Sequence, residues 1–188
     1  AATASFLRIM QPRRDAEQLD RFRSLLPLAM AALREAVGRS AEDAAALLEV
    51  LAQVAEARPT FFRSALGDFA AAMMQLVREP RCDTSVRRLA LEVVVTLVEQ
   101  RPGMMKRLPG FVKALVEVLM TWAVAVDERL LEPWLDFAEP EDVSVSELAE
   151  QCLERVGMAL RGRVVVPVLL PLVNTLVASP DWRQRQAA

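Results

Sequence analysis

The feature that most constrains this sequence is an internal repeat of helix pairs. An amphipathic segment, a short turn and a second amphipathic segment recur along the chain, and the apolar residues within each segment return every three or four positions. Helix pairs with a period of roughly 40 to 47 residues are typical of HEAT-type repeats, which stack on their neighbours. We therefore predict an all-α fold, a HEAT-repeat α-α superhelix (α-solenoid) of about four helix pairs.

The whole chain, residues 1–188, is predicted to be a single solenoid domain. Second helices are predicted to start at Ser40, Asp83, Asp142 and Asp181, with spacings of 43, 59 and 39 residues. The long middle spacing indicates an inserted acidic loop at residues 127–142. The predicted pairs cover residues 19–57, 59–100, 103–160 and 162–188, after a tail of a preceding repeat at residues 1–10.

Several helix ends are marked by capping residues. Gly38 is predicted to end the first helix, and Ser40 to begin the second, with Asp43 three residues later as in a capping box. Near the end of the chain, Ser179 or Asp181 is the predicted N-cap of a further helix. Both ends of the sequence fall within a repeat, so we expect a piece of a longer solenoid, with apolar end faces that favour self-association.

Composition excludes several functional classes. The chain has no His, which rules out Ser-His-Asp and Cys-His catalysis, HExxH zinc sites and C2H2 zinc fingers, and its six glycines form no phosphate-binding loop. We expect no enzyme activity, no metal and no cofactor. A net charge of −2 disfavours nucleic acid, and no uncharged apolar stretch is long enough for a membrane span. Two cysteines do not make a disulfide framework, which favours a reducing intracellular compartment.

An Asp and an Arg recur at the start of two second helices. Asp83 is followed by Arg87, and Asp181 is followed by Arg185. We predict that these side chains pair between neighbouring second helices and fix the register of the stack.

Several stretches resemble a known family. The segments "RRLALEVVVTLVEQRPGMMKRLPGFV", "ALRGRVVVPVLLPLVNTLVASPDWRQRQAA" and "ATASFL" are similar to the importin β-3 branch of the karyopherin-β nuclear import receptors. The similarity covers nearly the full chain. It implies a superhelical receptor that shuttles between cytoplasm and nucleus through the nuclear pore and binds basic cargo proteins, Ran GTPase and Phe-Gly nucleoporins.

The resemblance also gives candidate binding residues. Family members carry an acidic insertion at the corresponding repeat, although the present loop is shorter and is interrupted by apolar residues. Second helices line the inner surface, which makes Glu49, Gln53 and Glu147 additional candidates. The cargo and Ran candidates are Asp127, Glu128, Glu132, Trp134, Asp136, Glu139, Glu141, Asp142, Glu92, Glu99, Glu150 and Glu154.

In the same family, Phe-Gly segments dock in shallow apolar gaps between neighbouring first helices. Residues that could line such gaps are Phe61, Phe62, Met104, Met105 and Trp122, most of which we expect in the core. No site is assigned from them. A different HEAT scaffold for protein assembly, such as a phosphatase regulatory subunit, is the alternative interpretation of the repeat pattern.

Overall fold

The computed structural model describes residues 25–125 and 144–188, and these residues form α-helices joined by short turns, with no β-strand among them. The helices fall into two compact units, one up to Leu108 and one from Pro109. The predicted all-α HEAT architecture is confirmed. The predicted tail at residues 1–10, the start of the first helix and the acidic loop at 127–142 lie outside the described residues.

The first unit contains two helix pairs. Its helices are α1 (Leu26–Arg39), α2 (Ala41–Ala57), a 3-10 helix (Pro59–Ala65), α3 (Leu66–Arg78), α4 (Thr84–Gln100) and the short α5 (Pro102–Met105). Within each pair α1 packs on α2 and α3 packs on α4, while the second helices α2 and α4 pack side by side. This contact between equivalent helices of successive pairs is how stacked repeats share one core.

The second unit also contains two helix pairs. Its helices are α6 (Phe111–Val124), α7 (Val145–Leu160), α8 (Gly162–Val177) and α9 (Trp182–Ala187). The first helices α6 and α8 are in contact, α7 packs on both of them, and α9 packs on α6 and α8. Helix α8 buries only Val165 and exposes Val166, Leu170 and Val177. None of the described helices combines the length and the hydropathy that a membrane crossing requires.

The core of the first unit is centred on α4 and an aromatic cluster. Every residue from Val93 to Val98 of α4 is buried, because α2 and α3 cover it from two sides. Phe61, Phe62 and Phe69 are at most 1% exposed, with ring centroids 5.4 Å apart for the first two and 4.5 Å apart for the second two. Buried aromatic pairs at such distances stabilise a core beyond their buried area.

Three of the predicted second-helix starts are confirmed, and one is wrong. Ser40, Asp83 and Asp181 each accept a hydrogen bond from a backbone N–H of the helix that follows. The third second helix, α7, begins two residues after the predicted Asp142. Ser144 is its N-cap, and a reciprocal capping box with Glu147 fixes this start.

Three other boundaries differ from the predictions. Helix α1 passes through Gly38 to Arg39, because the extended Ser40 both ends α1 and caps α2. The segment after Pro59 begins as a 3-10 helix before α3. The predicted first helix of the third pair is interrupted before α6, where Pro109 cannot donate a backbone hydrogen bond and Gly110 has a left-handed φ of 71°.

Candidate functional site

Each unit contains a groove between the first helices of two successive pairs. In the first unit α1 and α3 flank a groove of about 270 Å³, which we call the α1–α3 groove. In the second unit α6 and α8 flank a groove of about 470 Å³, the α6–α8 groove. Both grooves therefore occupy the same place in the repeat, on the first-helix side of the stack.

The α1–α3 groove has an apolar floor and polar edges. Leu33 and Met73 form the buried part, while Met30 and Leu76 are half-buried and accessible from the groove. Further lining comes from Arg34, Val37, Ala72, Gln75, Glu79 and Cys82. A floor of flexible methionine and branched aliphatic side chains suits a bulky apolar side chain that enters from solvent.

Cys82 lies at the edge of this groove, in the turn before α4. The pKa of its thiol is raised, first because of burial and then because of the nearby carboxylate of Glu79, while the cation of Arg87 acts in the opposite direction. The thiol is therefore protonated at neutral pH and contributes apolar lining rather than a charge.

The α6–α8 groove has the same character. Met120 of α6 is buried, and Val124 of α6 and Leu172 and Leu176 of α8 are half-buried around it. Glu117, Thr121, Thr175 and Gln184 supply the polar edge. The two grooves thus share one chemistry, with methionine and aliphatic side chains inside and charged or amide groups at the border.

The residues considered from sequence as groove lining are mostly core, as expected. Phe61, Phe62, Met105 and Trp122 are at most 4% exposed, and only Met104 is half-buried. The residues that do line the grooves are smaller and less conspicuous in the sequence. The helical period of α1 and α3 could have shown that Met30 and Leu76 flank the buried stripe, but not that a gap lies between these helices.

The predicted acidic residues are only partly described. The eight candidates between Asp127 and Asp142 lie outside the described residues, and their role in binding stays a prediction. Glu150 and Glu154 are exposed on α7. Glu92 and Glu99 of α4 are half-buried, and Glu92 accepts a hydrogen bond from the Thr96 hydroxyl at 3.2 Å.

The candidate binding residues on the second helices differ in how accessible their side chains are to a partner. Neither Glu92 nor Glu99 is without an intramolecular partner. The carboxylate of Glu147 accepts the backbone N–H of Ser144 at 3.0 Å and so serves the α7 cap. Glu49 and Gln53 are exposed on α2, beside α4. Among the described candidates, Glu49, Glu150 and Glu154 are therefore the acidic side chains most open to a basic partner.

The part of the chain that the structure describes contains no group of three or more His, Cys, Asp or Glu side chains that could hold a metal ion.

Comparison with known proteins agrees with this architecture. Residues 79–167 match the family model described as importin repeat. Importin subunit beta-3 from Saccharomyces cerevisiae is 25% identical over 169 residues, which cover 87% of this chain and 16% of the relative. The resemblance to the karyopherin-β family predicted from the sequence is confirmed.

Solved structures show the same fold. The karyopherin Kap121p bound to Nup53p matches with a TM-score of 0.85 and 21% identity, over 99% of this chain and 18% of that chain. Kap121p bound to RanGTP matches with a TM-score of 0.84 and 21% identity, over 99% of this chain and 19% of that chain. The present chain thus spans less than a fifth of the length of each of these relatives.

Proposed function

We propose, from the match to the importin repeat and the resemblance to the karyopherin-β family, that the helix pairs of this chain form part of a nuclear transport receptor. Its first-helix grooves would dock Phe-Gly nucleoporin segments, and its inner acidic side chains would bind basic cargo and Ran. The receptor would shuttle between cytoplasm and nucleus. The observation that carries this proposal is the recurrence of an apolar groove between successive first helices in both units.

Groove chemistry supports phenylalanine as the docked side chain. The half-buried side chains of Met30 and Leu76 in one groove, and of Leu172 and Leu176 in the other, leave apolar surface for a ring to cover. Burial of a phenylalanine ring contributes about 1.5–3 kcal/mol, and glycine next to it lets a peptide backbone approach closely. Each groove would therefore bind weakly and reversibly.

The importin repeat favours this function over another HEAT scaffold, such as a phosphatase regulatory subunit. Kap121p has been solved with Nup53p, with Pho4p and with RanGTP, which supports nucleoporin, cargo and Ran partners for the present chain. We expect no enzymatic activity, because the named relatives are importins and karyopherins.

Fluorescence anisotropy with a labelled Phe-Gly repeat peptide tests the grooves. Met30→Asp places a carboxylate in the α1–α3 groove, and Leu176→Asp does so in the α6–α8 groove. We expect the double variant to bind about tenfold more weakly, since one buried ring per groove is lost.

Matched controls exist on the same two helices. Leu28 of α1 is 64% exposed, Leu170 of α8 is 54% exposed, and neither lines a groove. The Leu28→Asp/Leu170→Asp variant is expected to bind as the parent does. Groove docking would be rejected if both double variants lost affinity for the Phe-Gly peptide equally. It would also be rejected if a Ser-Gly peptide bound the parent as well as the Phe-Gly peptide does.

Cargo capture is tested separately with a labelled lysine-rich import-signal peptide. Replacement of Asp136, Glu139, Glu141 and Asp142 by Ser is expected to remove a salt-sensitive binding. A control variant replaces four acidic residues outside the loop by Ser, so that the net charge changes by the same amount. These residues are Glu35, Glu42, Glu56 and Asp68. Similar binding by the two variants would show that charge alone, and not the acidic loop, attracts the peptide. Displacement of the peptide by RanGTP is the outcome expected of a receptor.

A further inference from the structure

The first unit has a second, larger cavity on a different side from its groove. It is a cleft of about 790 Å³ between the start of the second pair and the segment that follows α4. Arg63 of the 3-10 helix, Arg101 after α4 and Arg107 after α5 line it, and we call it the arginine cleft. All three side chains belong to exposed residues.

The charge of this cleft differs from that of the chain as a whole. The chain carries a net charge of −2, with 23 basic and 25 acidic residues. The cleft has three arginines and a single acidic residue, Asp68. The cleft is therefore positively charged although the chain as a whole is slightly acidic, and such a surface attracts anionic partners.

These arginines are also unpaired. In the described ranges 25–125 and 144–188, none of the three forms an ion pair with a carboxylate. Arg39, by contrast, lies 3.3 Å from Glu35 and 3.5 Å from Asp43. The guanidinium groups of the arginine cleft therefore keep their donors available for an external acceptor.

The rest of the lining indicates what kind of anion fits. Leu66, Met104 and Leu108 add apolar surface between the charged groups, and Thr60 and Ser64 add hydroxyls. Guanidinium groups donate paired hydrogen bonds to carboxylates, and aliphatic side chains cover apolar surface. We propose that the arginine cleft binds an extended peptide of a partner protein in which aspartate or glutamate alternates with apolar residues.

The size and layout of the cleft favour a peptide over a small anion. Its three arginines come from two separate stretches of the chain, Arg63 from one and Arg101 and Arg107 from the other, and its volume is far larger than a single phosphate needs. A peptide can place one carboxylate near each guanidinium and an apolar side chain between them. This partner carries the opposite charge to the basic cargo of the proposed function, so the two sites are independent.

Anisotropy with a labelled decapeptide that alternates glutamate and leucine tests the inference. We expect salt-sensitive binding to the 188-residue chain, weakened about tenfold in the Arg63→Gln/Arg101→Gln/Arg107→Gln variant. A decapeptide that alternates glutamine and leucine is expected not to bind. Circular dichroism of the variant verifies its helical content.

The matched control removes the same charge elsewhere. Arg39, Arg81 and Arg163 are exposed and lie outside the cleft, and their triple Gln variant is expected to keep the affinity of the parent. Equal weakening in both triple variants would overturn the inference, as would binding of the glutamine peptide. Displacement of the acidic peptide by millimolar inorganic phosphate at constant ionic strength would show a small-anion site instead. The Phe-Gly and lysine-rich peptides should bind the cleft variant as they bind the parent.

Discussion

Arg87 of α4 donates from its Nε to the carbonyl oxygen of Val77 in the last turn of α3, at 3.0 Å. The last carbonyl groups of a helix have no partner within it, so this bond both caps α3 and fastens α4 to it. Arg185 of α9 also binds backbone, since its guanidinium donates to the carbonyl oxygens of Ser179 and Pro180, in the turn between α8 and α9, at 2.8 and 2.7 Å. The recurring arginine thus binds backbone within its own repeat, and pairing with Asp between repeats stays a prediction.

Replacement of Arg87 by Met is expected to lower the free energy of unfolding by about 1.5–3 kcal/mol. A partly buried carbonyl would lose a charged donor, whereas Met keeps the aliphatic stem. Arg185→Met is the matched control, and its effect should stay below about 1 kcal/mol because Arg185 is exposed and water can replace the bond. Urea denaturation followed by circular dichroism measures both, and equal effects would contradict a role of burial.

Arg161, which joins α7 to α8, has φ 70° and ψ 152°. Almost only glycine adopts this region, and other residues are destabilised there by about 1–3 kcal/mol. Arg161→Gly should therefore raise the free energy of unfolding by about 1 kcal/mol, after the greater flexibility of glycine in the unfolded chain is subtracted. Arg161→Ala removes the charge but keeps Cβ, so thermal unfolding should show no such gain for it.

Phe62 is fully buried between Phe61 and Phe69. Phe62→Ala is expected to lower the free energy of unfolding by about 3–5 kcal/mol, because it leaves a cavity and removes two ring contacts. Leu28→Ala, at an exposed position, should change it by less than about 0.5 kcal/mol. A small effect at Phe62 would mean that the surrounding helices collapse into the space.

Asp83 at the start of α4 gives a pH dependence. The Ser85 hydroxyl and backbone N–H donate to its carboxylate at 2.6 and 2.8 Å, and these bonds hold the pKa of Asp83 below its usual range. The folded-state pKa is lower than the unfolded one, so this stabilisation is present above about pH 4 and is lost as the pH falls through the folded value.

Asp83→Asn keeps an N-cap that cannot ionise. We expect this variant to lose less stability than the parent between pH 6 and pH 3, as measured by urea midpoints. Ser85→Ala should also reduce the loss of stability between pH 6 and pH 3, because the main cause of the lowered Asp83 pKa is removed. An unchanged pH profile in both variants would contradict this assignment.

Cys82 is expected to react slowly with iodoacetamide at pH 7.5, because its raised pKa leaves little thiolate. Glu79→Gln removes a negative charge that raises the pKa, so alkylation at pH 8.5 should be faster in this variant. Cys152 is completely buried and serves as an internal reference that reacts only after unfolding. Mass spectrometry of the two peptides distinguishes them, and a rate at Cys82 equal to that of free cysteine would contradict the expectation.

Capping residues made the helix starts predictable, since Ser40, Asp83 and Asp181 bind the first turn of their own helix by local contacts. Helix boundaries that depend on residues outside the first turn were not predictable. Gly38 stays helical because Ser40 supplies the turn, and the choice of a 3-10 helix after Pro59 accompanies burial of Phe61 and Phe62 under α2 and α3.

The position of the grooves follows from the repeat, but their lining does not. The period identifies Leu33 and Met73 as core, yet whether Met30 and Leu76 meet each other or face a gap depends on the spacing between α1 and α3. That spacing results from the packing of whole helices. The arginine cleft was not predictable for the same reason, because Arg63 is far in sequence from Arg101 and Arg107 and each alone resembles an ordinary exposed residue.

Helix α8 contains two prolines, Pro167 and Pro171, one turn apart. Each lacks the N–H that would bond four residues back, so the carbonyls of Arg163 and Pro167 have no such partner. Positions four apart lie on one side of a helix, so both missing bonds weaken the same side. Helix α8 can therefore change its curvature without breaking a backbone hydrogen bond. Leu172 and Leu176 of this helix line the α6–α8 groove, so we expect the width of that groove to adjust to side chains of different size.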